Sequence, residues 1–531
     1  MADRIGSAPT TGFLAWVERT GNKLPDPVIL FFYLILGLIG ISVVCDLLNV
    51  SAFHPTQKDA SGAPIVEQAV SLLSAANIQR LWVQMPQTFT HFHPLGYVLV
   101  VMLGAGVAER SGLFASAIRA AIRSVPNSIL TPMVALLAML SNHAADAGYV
   151  VMIPLAAIIF AAAGRHPLAG IAVAFAGVSG GFSANIAPGQ LDALLFGITQ
   201  SAYEVSSIDA GWTMNIAGNW WFIIALLFIY LPVIWLVTDK VIEPRLGKWV
   251  PAAGKDATIY ADENAPLLPE QRRGLRHAGL AMLAVCLLWA LMVFGPGTPL
   301  LNDGPEMQSA AWYSLAGPFF QSLVAAFLVL FLAGGWFYGR AAGTIKSQQD
   351  AVDMMADAMK DLGYYLVLAF AASHFVAMFG WSNLGLISAV HGADAIRSSG
   401  LPLPMVLGLI VLFAALLNLF VGSASAKWAL LAPVLVPMLI LLGISPDGAT
   451  AAYRVGDGAT NIITPLMVYF PLILIFAQRW QKDFGIGSLT AMMIPYSVWM
   501  LISGVILMML WLFLGIPLGP GAPAEIMIPG L

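Results

Sequence analysis

The stretch Tyr453-Arg-Val-Gly-Asp-Gly-Ala-Thr-Asn-Ile-Ile-Thr-Pro465 decides the fold of this chain, because it places charges and a proline inside an apolar region. The surrounding segment 446–478 is long enough to cross a bilayer, which takes about 20 residues of helix. Its glycines and Pro465 argue against one continuous helix. An arginine within a span is costly unless it faces a partner or a cavity. We therefore expect a broken transmembrane helix that carries functional charges.

The composition of the whole chain agrees with a membrane protein. Of the 531 residues, 59% are hydrophobic and 10% are charged, which is too few charges to cover the surface of a soluble protein of this size. The net charge of −4 does not favour a nucleic-acid partner or a basic membrane-surface protein. Cys45 and Cys286 lie in apolar runs, so neither a disulfide framework nor a cysteine metal site is expected. Residues 1–24 lack the apolar core of a signal peptide.

Windows of about 19 residues predict nine spanning segments. Five are typical of ordinary helices: 28–50, 213–238, 277–295, 315–338 and 489–514. Four are short, Gly-rich or interrupted: 95–109, 168–200, 362–380 and 446–478.

Two further stretches, 128–163 and 404–443, each hold two apolar pieces around a polar break. Residues 128–142 make about 22 Å of helix at 1.5 Å per residue, short of the roughly 30 Å hydrocarbon core. We therefore predict two re-entrant helical hairpins, because non-helical backbone at mid-membrane must be surrounded by protein or line a cavity.

The distribution of Lys and Arg predicts the orientation, since positive residues stay cytoplasmic. With a cytoplasmic N-terminus and nine spans, nineteen of the 24 Lys and Arg lie in cytoplasmic connections. Three lie outside, namely Lys58, Arg80 and Arg397, and Lys427 and Arg454 fall within the membrane.

An internal repeat relates the two halves of the chain. Leu95–Val100 resembles Leu362–Val367, and Asn185–Pro188 resembles Asn461–Pro465. Between these matches, three residues recur at identical spacing: Pro154, Gly164 and Pro167 as Pro433, Gly443 and Pro446. The predicted topology gives the two copies opposite orientations, which is the inverted repeat of secondary transporters, with a site at mid-membrane between broken helices.

This repeat divides the chain into five predicted parts: a cytoplasmic segment 1–24, a first half 25–238, a cytoplasmic loop 239–276, a second half 277–514 and a periplasmic tail 515–531. Each half holds one hairpin and one broken helix.

At these residues the sequence resembles the aminobenzoyl-glutamate transporter family of the ion-transporter superfamily. The resemblance covers nearly the whole chain and is most specific at Tyr453–Pro465. It implies a homodimer in the bacterial inner membrane that imports p-aminobenzoyl-glutamate or exports p-aminobenzoate and sulfonamide-like antimetabolites. It also implies that seven residues line the transport path: Asp192, Ser425, Trp428, Pro446, Arg454, Asp457 and Pro465. The superfamily's Ser-Asn-Thr motif for Na⁺ is replaced here at both hairpin tips, by Ser141–His143 and Gly422–Ala424.

Each charged residue has a functional and a structural interpretation. Arg454 is expected to hold a substrate carboxylate, or otherwise to pair with Asp457 three residues on. Asp192 and Asp457 serve transport or cap the ends of broken helices. Trp428 stacks the aromatic ring of the substrate or only packs, and Lys427 receives no role.

The coupling ion, Na⁺ or H⁺, stays open at this point, and no other cofactor is expected. Asn142, Asn185, Asp457 and Asn461 are the predicted Na⁺ ligands, although the asparagines could instead bind unwound backbone.

Three functions can be compared on the sequence alone. Alternating-access transport of aromatic carboxylates agrees best with the repeat and with the Tyr453–Pro465 stretch. A Na⁺-coupled dicarboxylate symporter of the same architecture is the nearer alternative. An intramembrane serine protease is remote, because only the four-residue pattern Gly177–Gly180 and a distant His374 support it.

Overall fold

The computed structural model describes residues 25–59, 61–123, 125–144, 148–212, 215–249, 266–302 and 312–526. Regular structure in these residues is helical apart from a two-stranded hairpin, which confirms the predicted all-α membrane fold. The predicted segment 1–24 and the middle of the predicted loop 239–276 lie outside the described residues.

The elements of the first part of the chain follow the order α1 Pro27–Leu47, β1 Ser51–Lys58, β2 Pro64–Gln68, α2 Ala75–Thr90, α3 His93–Arg110, α4 Leu113–Arg123, α5 Leu130–Leu140, α6 Ile153–Ala162, α7 Pro167–Phe175, α8 Gln190–Ser206, α9 Trp220–Val237 and α10 Glu243–Leu246. Short 3₁₀ segments lie at Asn127–Ile129 and Ser141–Ala144, and π-helical turns lie at Gly148–Met152, Ala176–Gly180 and Thr238–Ile242.

The second part continues with α11 Pro269–Phe294, α12 Trp312–Leu315, α13 Gly317–Gln321, α14 Leu323–Ala342, α15 Gln348–Asp361, α16 Gly363–Trp381, α17 Leu384–Ser398, α18 Leu403–Asn418, α19 Ala424–Leu441, α20 Pro446–Asn461, α21 Phe470–Trp480 and α22 Ile486–Phe513.

Eight helical segments among the described residues are long and apolar enough to cross a bilayer, and one bent pair would raise the number to nine. Seven of the eight overlap spans predicted from the sequence. The eighth is α19, which the sequence assigned to the second arm of the hairpin 404–443. Its 18 residues make about 27 Å of helix, close to the thickness of the hydrocarbon core. The re-entrant hairpins and the inverted repeat stay predictions.

The two spans that were predicted to be broken each consist of separate helices. In the first, α7 leads through the π turn Ala176–Gly180 into non-helical residues 181–189, after which α8 begins. In the second, non-helical residues 462–469 separate α20 from α21.

Arg454 and Asp457 therefore lie in a regular helix, whereas the sequence placed both in an interrupted stretch. The glycines next to Asp457 explain the difference, because they serve close packing. A Cβ atom on Gly456 would lie 2.1 Å from the carbonyl oxygen of Val411 on α18, and one on Gly458 would lie 2.9 Å from that of Gly180. The helix can continue through both glycines while α18 and the first broken span approach its backbone.

The segment after α22 folds back over the N-terminal end of α20. The backbone N–H of Ser445 donates to the carbonyl of Ala524, and that of Ile526 donates to Gly443. On the other side, the N–H of Phe222 on α9 donates to the carbonyl of Leu518. We call residues 516–526 the C-terminal strap, since this segment joins the starts of α9 and α20.

Candidate functional site

The helix α20 forms the centre of the candidate site, and all 16 of its residues are buried. Its start is well defined, since the Ser445 hydroxyl accepts a hydrogen bond from the backbone N–H of Gly448 at 3.0 Å and Pro446 takes the first helical position. Four of the predicted residues, Pro446, Arg454, Asp457 and Asn461, lie on this helix. Pro465 lies in the non-helical segment that follows it.

Arg454 forms a buried ion pair with Asp192 of the other broken span. Arg454 Nη1 lies 2.7 Å from Asp192 Oδ1, and only 2% and 8% of the two side chains are exposed. Nη1 also lies 3.4 Å from Asn219 Oδ1, while Nε has no hydrogen-bond partner among the described residues. The alternative prediction that Arg454 pairs with Asp457 is wrong. A guanidinium buried in this way requires an anion next to it, and Asp192 supplies that anion.

Asp192 is positioned by the local structure at the start of α8. Its Oδ2 accepts a hydrogen bond of 2.7 Å from the backbone N–H of Gly189, which caps the helix. Its Oδ1 is left to bind Arg454. The capping interpretation of Asp192 thus applies to one carboxylate oxygen while the other binds Arg454, and its role in transport stays a prediction.

Asp457 pairs with Lys427, for which the sequence predicted no role. Both side chains are fully buried, and Lys427 Nζ lies next to Asp457 Oδ1 and to Asn418 Oδ1. The Tyr453 hydroxyl lies 3.4 Å from the same Asp457 oxygen. Asp457 Oδ2 has no partner in the described part of the chain. The two buried cations of the site, Arg454 and Lys427, thus neutralise two different carboxylates.

Trp428 and Tyr453 form a stacked pair, with ring centroids 4.5 Å apart and ring planes inclined by 21°. Trp428 Nε1 donates to Thr199 Oγ1 on α8 at 2.9 Å, and the Tyr453 hydroxyl donates to the Ala424 carbonyl at 2.6 Å. Trp428 is fully buried. Its indole therefore packs on a tyrosine, and the face that was expected to take a substrate ring is covered in this conformation.

Two cavities border the candidate site, and their names, the inner cavity and the outer pocket, follow the predicted topology. The inner cavity, of about 690 Å³, is bordered by the start of α1, by Tyr364 and Tyr365, and by Ser425 near the start of α19. The outer pocket is bordered by Asp192, Arg454 and other polar residues and has a volume of only about 10 Å³, which is room for about one water molecule. Pockets that bind small molecules usually measure about 300–1,000 Å³. The inner cavity has this size, and the Arg454 pocket is closed.

The structure separates the predicted Na⁺ ligands into two groups. Asn142 and Asn185 both donate a side-chain N–H to the Met139 carbonyl, at 2.9 and 3.3 Å. Asp457 and Asn461 are joined through Asn418, whose Nδ2 donates to the Asp457 carbonyl at 2.7 Å and to Asn461 Oδ1 at 2.8 Å. The role of these residues as Na⁺ ligands stays a prediction.

Several polar residues of the outer pocket could not be recognised from the sequence. Trp212 Nε1 donates to Asp447 Oδ2 at 2.7 Å, and Asn219 Nδ2 donates to the Asp447 carbonyl at 3.0 Å. Asp447 follows Pro446 directly at the end of an apolar segment, and an acid in the first turn of a helix is common without any functional role. The only signal for Lys427 was its charge within an apolar stretch, the same signal that identified Arg454.

The protease interpretation requires a hydrogen bond between Ser179 and His374, and none joins them among the described residues. The Ser179 hydroxyl lies 3.4 Å from Met467 Sδ, while His374 Nδ1 lies 2.7 Å from the Phe370 carbonyl oxygen. A serine nucleophile needs a base within hydrogen-bond reach. The expectation that the protein is not an enzyme is confirmed by the relatives described next.

Comparison with proteins of known sequence shows a relative over almost the full chain. The p-aminobenzoyl-glutamate transport protein of Escherichia coli (strain K12) is 36% identical over 520 residues, which are 97% of this chain and 98% of that protein. A shorter match, 33% identical over 104 residues, links 19% of this chain to 21% of the putative basic amino acid antiporter YfcC of the same organism.

Two solved structures share the fold and much of the sequence. The YdaH transporter of Alcanivorax borkumensis matches with a TM-score of 0.84 at 42% identity, over 93% of this chain and 100% of that one. MtrF of Neisseria gonorrhoeae, described as illuminating a class of antimetabolite efflux pumps, matches with a TM-score of 0.87 at 40% identity, over 96% and 100% of the two chains. These likenesses confirm the family resemblance seen in the sequence and identify an integral membrane transporter. Since the family's characteristic sequence also spans residues 12–526, the chain belongs to the AbgT putative transporter family.

Proposed function

We propose that this protein is a secondary active transporter that moves aromatic carboxylates of the p-aminobenzoate and p-aminobenzoyl-glutamate type, including sulfonamide-like antimetabolites, by alternating access driven by an ion gradient. The E. coli relative is named for p-aminobenzoyl-glutamate transport and the N. gonorrhoeae structure for antimetabolite efflux. The proposal includes a homodimer in the bacterial inner membrane with its N-terminus in the cytoplasm.

The observation that carries the proposal is the Arg454–Asp192 pair, which joins the two broken spans through one carboxylate oxygen. A substrate carboxylate is chemically the same group as the side chain of Asp192. It can therefore replace Asp192 on the guanidinium without leaving the buried cation unpaired, although Asp192 then loses its cationic partner. Asp192 retains its hydrogen bond from Gly189 during this exchange.

The aromatic part of the substrate is proposed to meet the Trp428–Tyr453 pair. The inner cavity reaches Ser425, three residues before Trp428 and so on the same side of α19 within one helical turn. The indole N–H is already bound to Thr199, which borders the outer pocket. Movement of α19 relative to α8 would break this hydrogen bond and connect the inner cavity to Arg454.

The closed outer pocket and the larger inner cavity support a state that opens toward the cytoplasm under the predicted topology. In the proposed cycle, substrate enters beside Tyr364 and Ser425, displaces Asp192 from Arg454, and leaves when the outer pocket opens. Reversal of the same steps gives import, so the direction depends on the driving ion gradient.

The test is transport of labelled p-aminobenzoate and p-aminobenzoyl-glutamate by purified protein in vesicles with an imposed Na⁺ or pH gradient. We expect gradient-driven flux for the wild type, loss of flux for Arg454→Ala, and retained flux for Arg80→Ala, which removes an exposed arginine. Equal flux in empty vesicles, or undiminished flux in folded Arg454→Ala, would contradict the proposal.

A further inference from the structure

A second charged centre, formed by Lys427, Asp457 and Asn418, lies in the core of the protein and is not used by the proposed path of the substrate. Lys427 is fully buried although it carries a long cationic side chain, and a charge in such a place is expensive unless it is paired and hydrogen-bonded. Its ammonium contacts one oxygen of Asp457 and one of Asn418. A carboxylate and an amide oxygen are also ligands that hard cations bind in proteins, and Na⁺ is such a cation.

The orientation of the Asn418 amide is fixed by its surroundings. Three oxygens lie within hydrogen-bond distance of its Nδ2, which has two hydrogens to donate: the Asp457 carbonyl at 2.7 Å, Thr460 Oγ1 at 2.9 Å and Asn461 Oδ1 at 2.8 Å. The carbonyl and the amide oxygen among these can only accept, so the NH₂ group must face them. Asn418 Oδ1 must then point the other way, toward the ammonium. The hydrogen-bond network thus presents an oxygen to a cation at this place.

We propose that the ammonium of Lys427 is a built-in cation that occupies a cation site made by Asp457 and Asn418, so that the wild-type protein binds no Na⁺ there. The inference concerns the coupling ion and so rests on the proposed transport function. A Na⁺ ion sharing the same carboxylate with the ammonium would be repelled by it at close range in a weakly screening interior. Because lysine cannot leave the protein, Asp457 is neutralised in every state of the cycle without a dissolved cation.

The position of Lys427 gives this cation a direct mechanical connection to the transport path. Trp428, the next residue on α19, stacks on Tyr453, which itself contacts Asp457. Asp457 and Arg454 are one turn apart on α20 and therefore lie on the same side of the helix. The Lys427–Asp457 pair thus holds α19 to α20 at the level where the substrate is proposed to pass.

Removal of the amine should turn the site into one that takes Na⁺. In Lys427→Ala the carboxylate of Asp457 and the oxygen of Asn418 stay in place around the space left by the side chain, and Asp457 Oδ2, which has no described partner, becomes a further ligand. A buried carboxylate that has lost its partner gains stability from any cation that binds it in the folded state.

The experiment measures the melting temperature of purified protein as a function of NaCl concentration, with choline chloride at equal ionic strength as the reference. We expect Lys427→Ala to show a saturable rise of several degrees specific to Na⁺, and the wild type and the Lys427→Ala/Asp457→Ala double variant to show none. The proposal is overturned if the melting temperature of Lys427→Ala rises with NaCl no more than that of the wild type, including the case in which neither rises.

Two further measurements test the proposal if Lys427→Ala does not fold. If Lys427→Ala cannot be purified without Na⁺, Lys427→Ser, which offers a small hydroxyl, is measured in the same way. The wild type provides a direct test as well. If its melting temperature rises with NaCl and Asn418→Ala abolishes that rise, the site binds Na⁺ despite the lysine and the proposal is wrong. No substrate is present in these measurements, so their outcome is independent of whether the protein carries p-aminobenzoate.

Discussion

Replacing Asp192 by asparagine gives the sharpest test of how the substrate reaches Arg454. If the substrate carboxylate displaces Asp192, the two compete for the same guanidinium, and removal of the charge on Asp192 should favour the substrate. A hydrogen bond to a charged group contributes about 1.5–3 kcal/mol, and each 1.4 kcal/mol is about a tenfold change in affinity. We therefore expect Asp192→Asn to bind p-aminobenzoate about tenfold to a hundredfold more tightly than the wild type does. Arg454→Ala should bind it more weakly by a similar factor.

The same substitution should slow transport. Without its carboxylate, residue 192 competes poorly for the arginine, so release of the substrate becomes the slow step. Asparagine also has a single side-chain oxygen, which cannot serve both the Gly189 N–H and Arg454, and loss of one helix cap costs about 1 kcal/mol. A small decrease in melting temperature should thus accompany the tighter binding.

The assay combines equilibrium binding of labelled p-aminobenzoate in detergent with counterflow in vesicles, for wild type, Asp192→Asn and Arg454→Ala. A matched control is Asp394→Asn, whose partner Arg397 lies in an exposed ion pair and whose substitution should change neither quantity. If Asp192→Asn binds substrate no better than wild type while Arg454→Ala binds it normally, then the pair is only structural.

Three further predictions concern other parts of the molecule. Trp428→Phe retains the stack on Tyr453 but loses the hydrogen bond to Thr199, so the free energy of unfolding should fall by about 1 kcal/mol, whereas Trp428→Ala should cost about 3–5 kcal/mol; denaturation of the purified variants compares them. Burial lowers the pKa of His54 below its ordinary value of 6.5, and its Nδ1 accepts the Gln57 N–H at 2.9 Å, so stability should be full above pH 6.5 and decline as the pH falls toward the lower pKa of the folded state; melting temperatures should depend less on pH in this range for His54→Gln. In a background without Cys45 and Cys286, an impermeant thiol reagent should label Asp209→Cys from outside and Gln349→Cys only after permeabilisation; the opposite pattern would reverse the predicted topology.

The sequence predicted the charged residues of the site but not their partners. Arg454 and Asp457 stood out because charge is rare and costly within a span. Their partners depend on how helices pack, however, and Arg454 and Asp192 lie 262 positions apart in the chain. The nearest acid in the sequence, Asp457, was the natural candidate, and in the structure it points to Lys427 instead.

The continuity of α20 through its glycines shows a second limit of structure prediction from the sequence. Glycine weakens an isolated helix, so the Gly-Asp-Gly sequence indicated an unwound segment. In the structure these glycines lie where a Cβ atom would collide with Val411 or Gly180, and tertiary packing favours a continuous helix at this point. Composition and spacing identified the broken spans, but the position of the break followed from contacts that the sequence does not display.

The C-terminal strap has a consequence for the outer pocket if the protein works by the proposed alternating access. It is hydrogen-bonded to Phe222 on one side and to Gly443 and Ser445 on the other, and Asn215, which borders that pocket, donates to the Pro520 carbonyl at 2.7 Å. Any separation of α9 from α20 must stretch these bonds, each of which contributes about 0.5–1.5 kcal/mol. In the proposed cycle, the strap would therefore oppose outward opening, and the length of the few residues after α22 would help to set the transport rate.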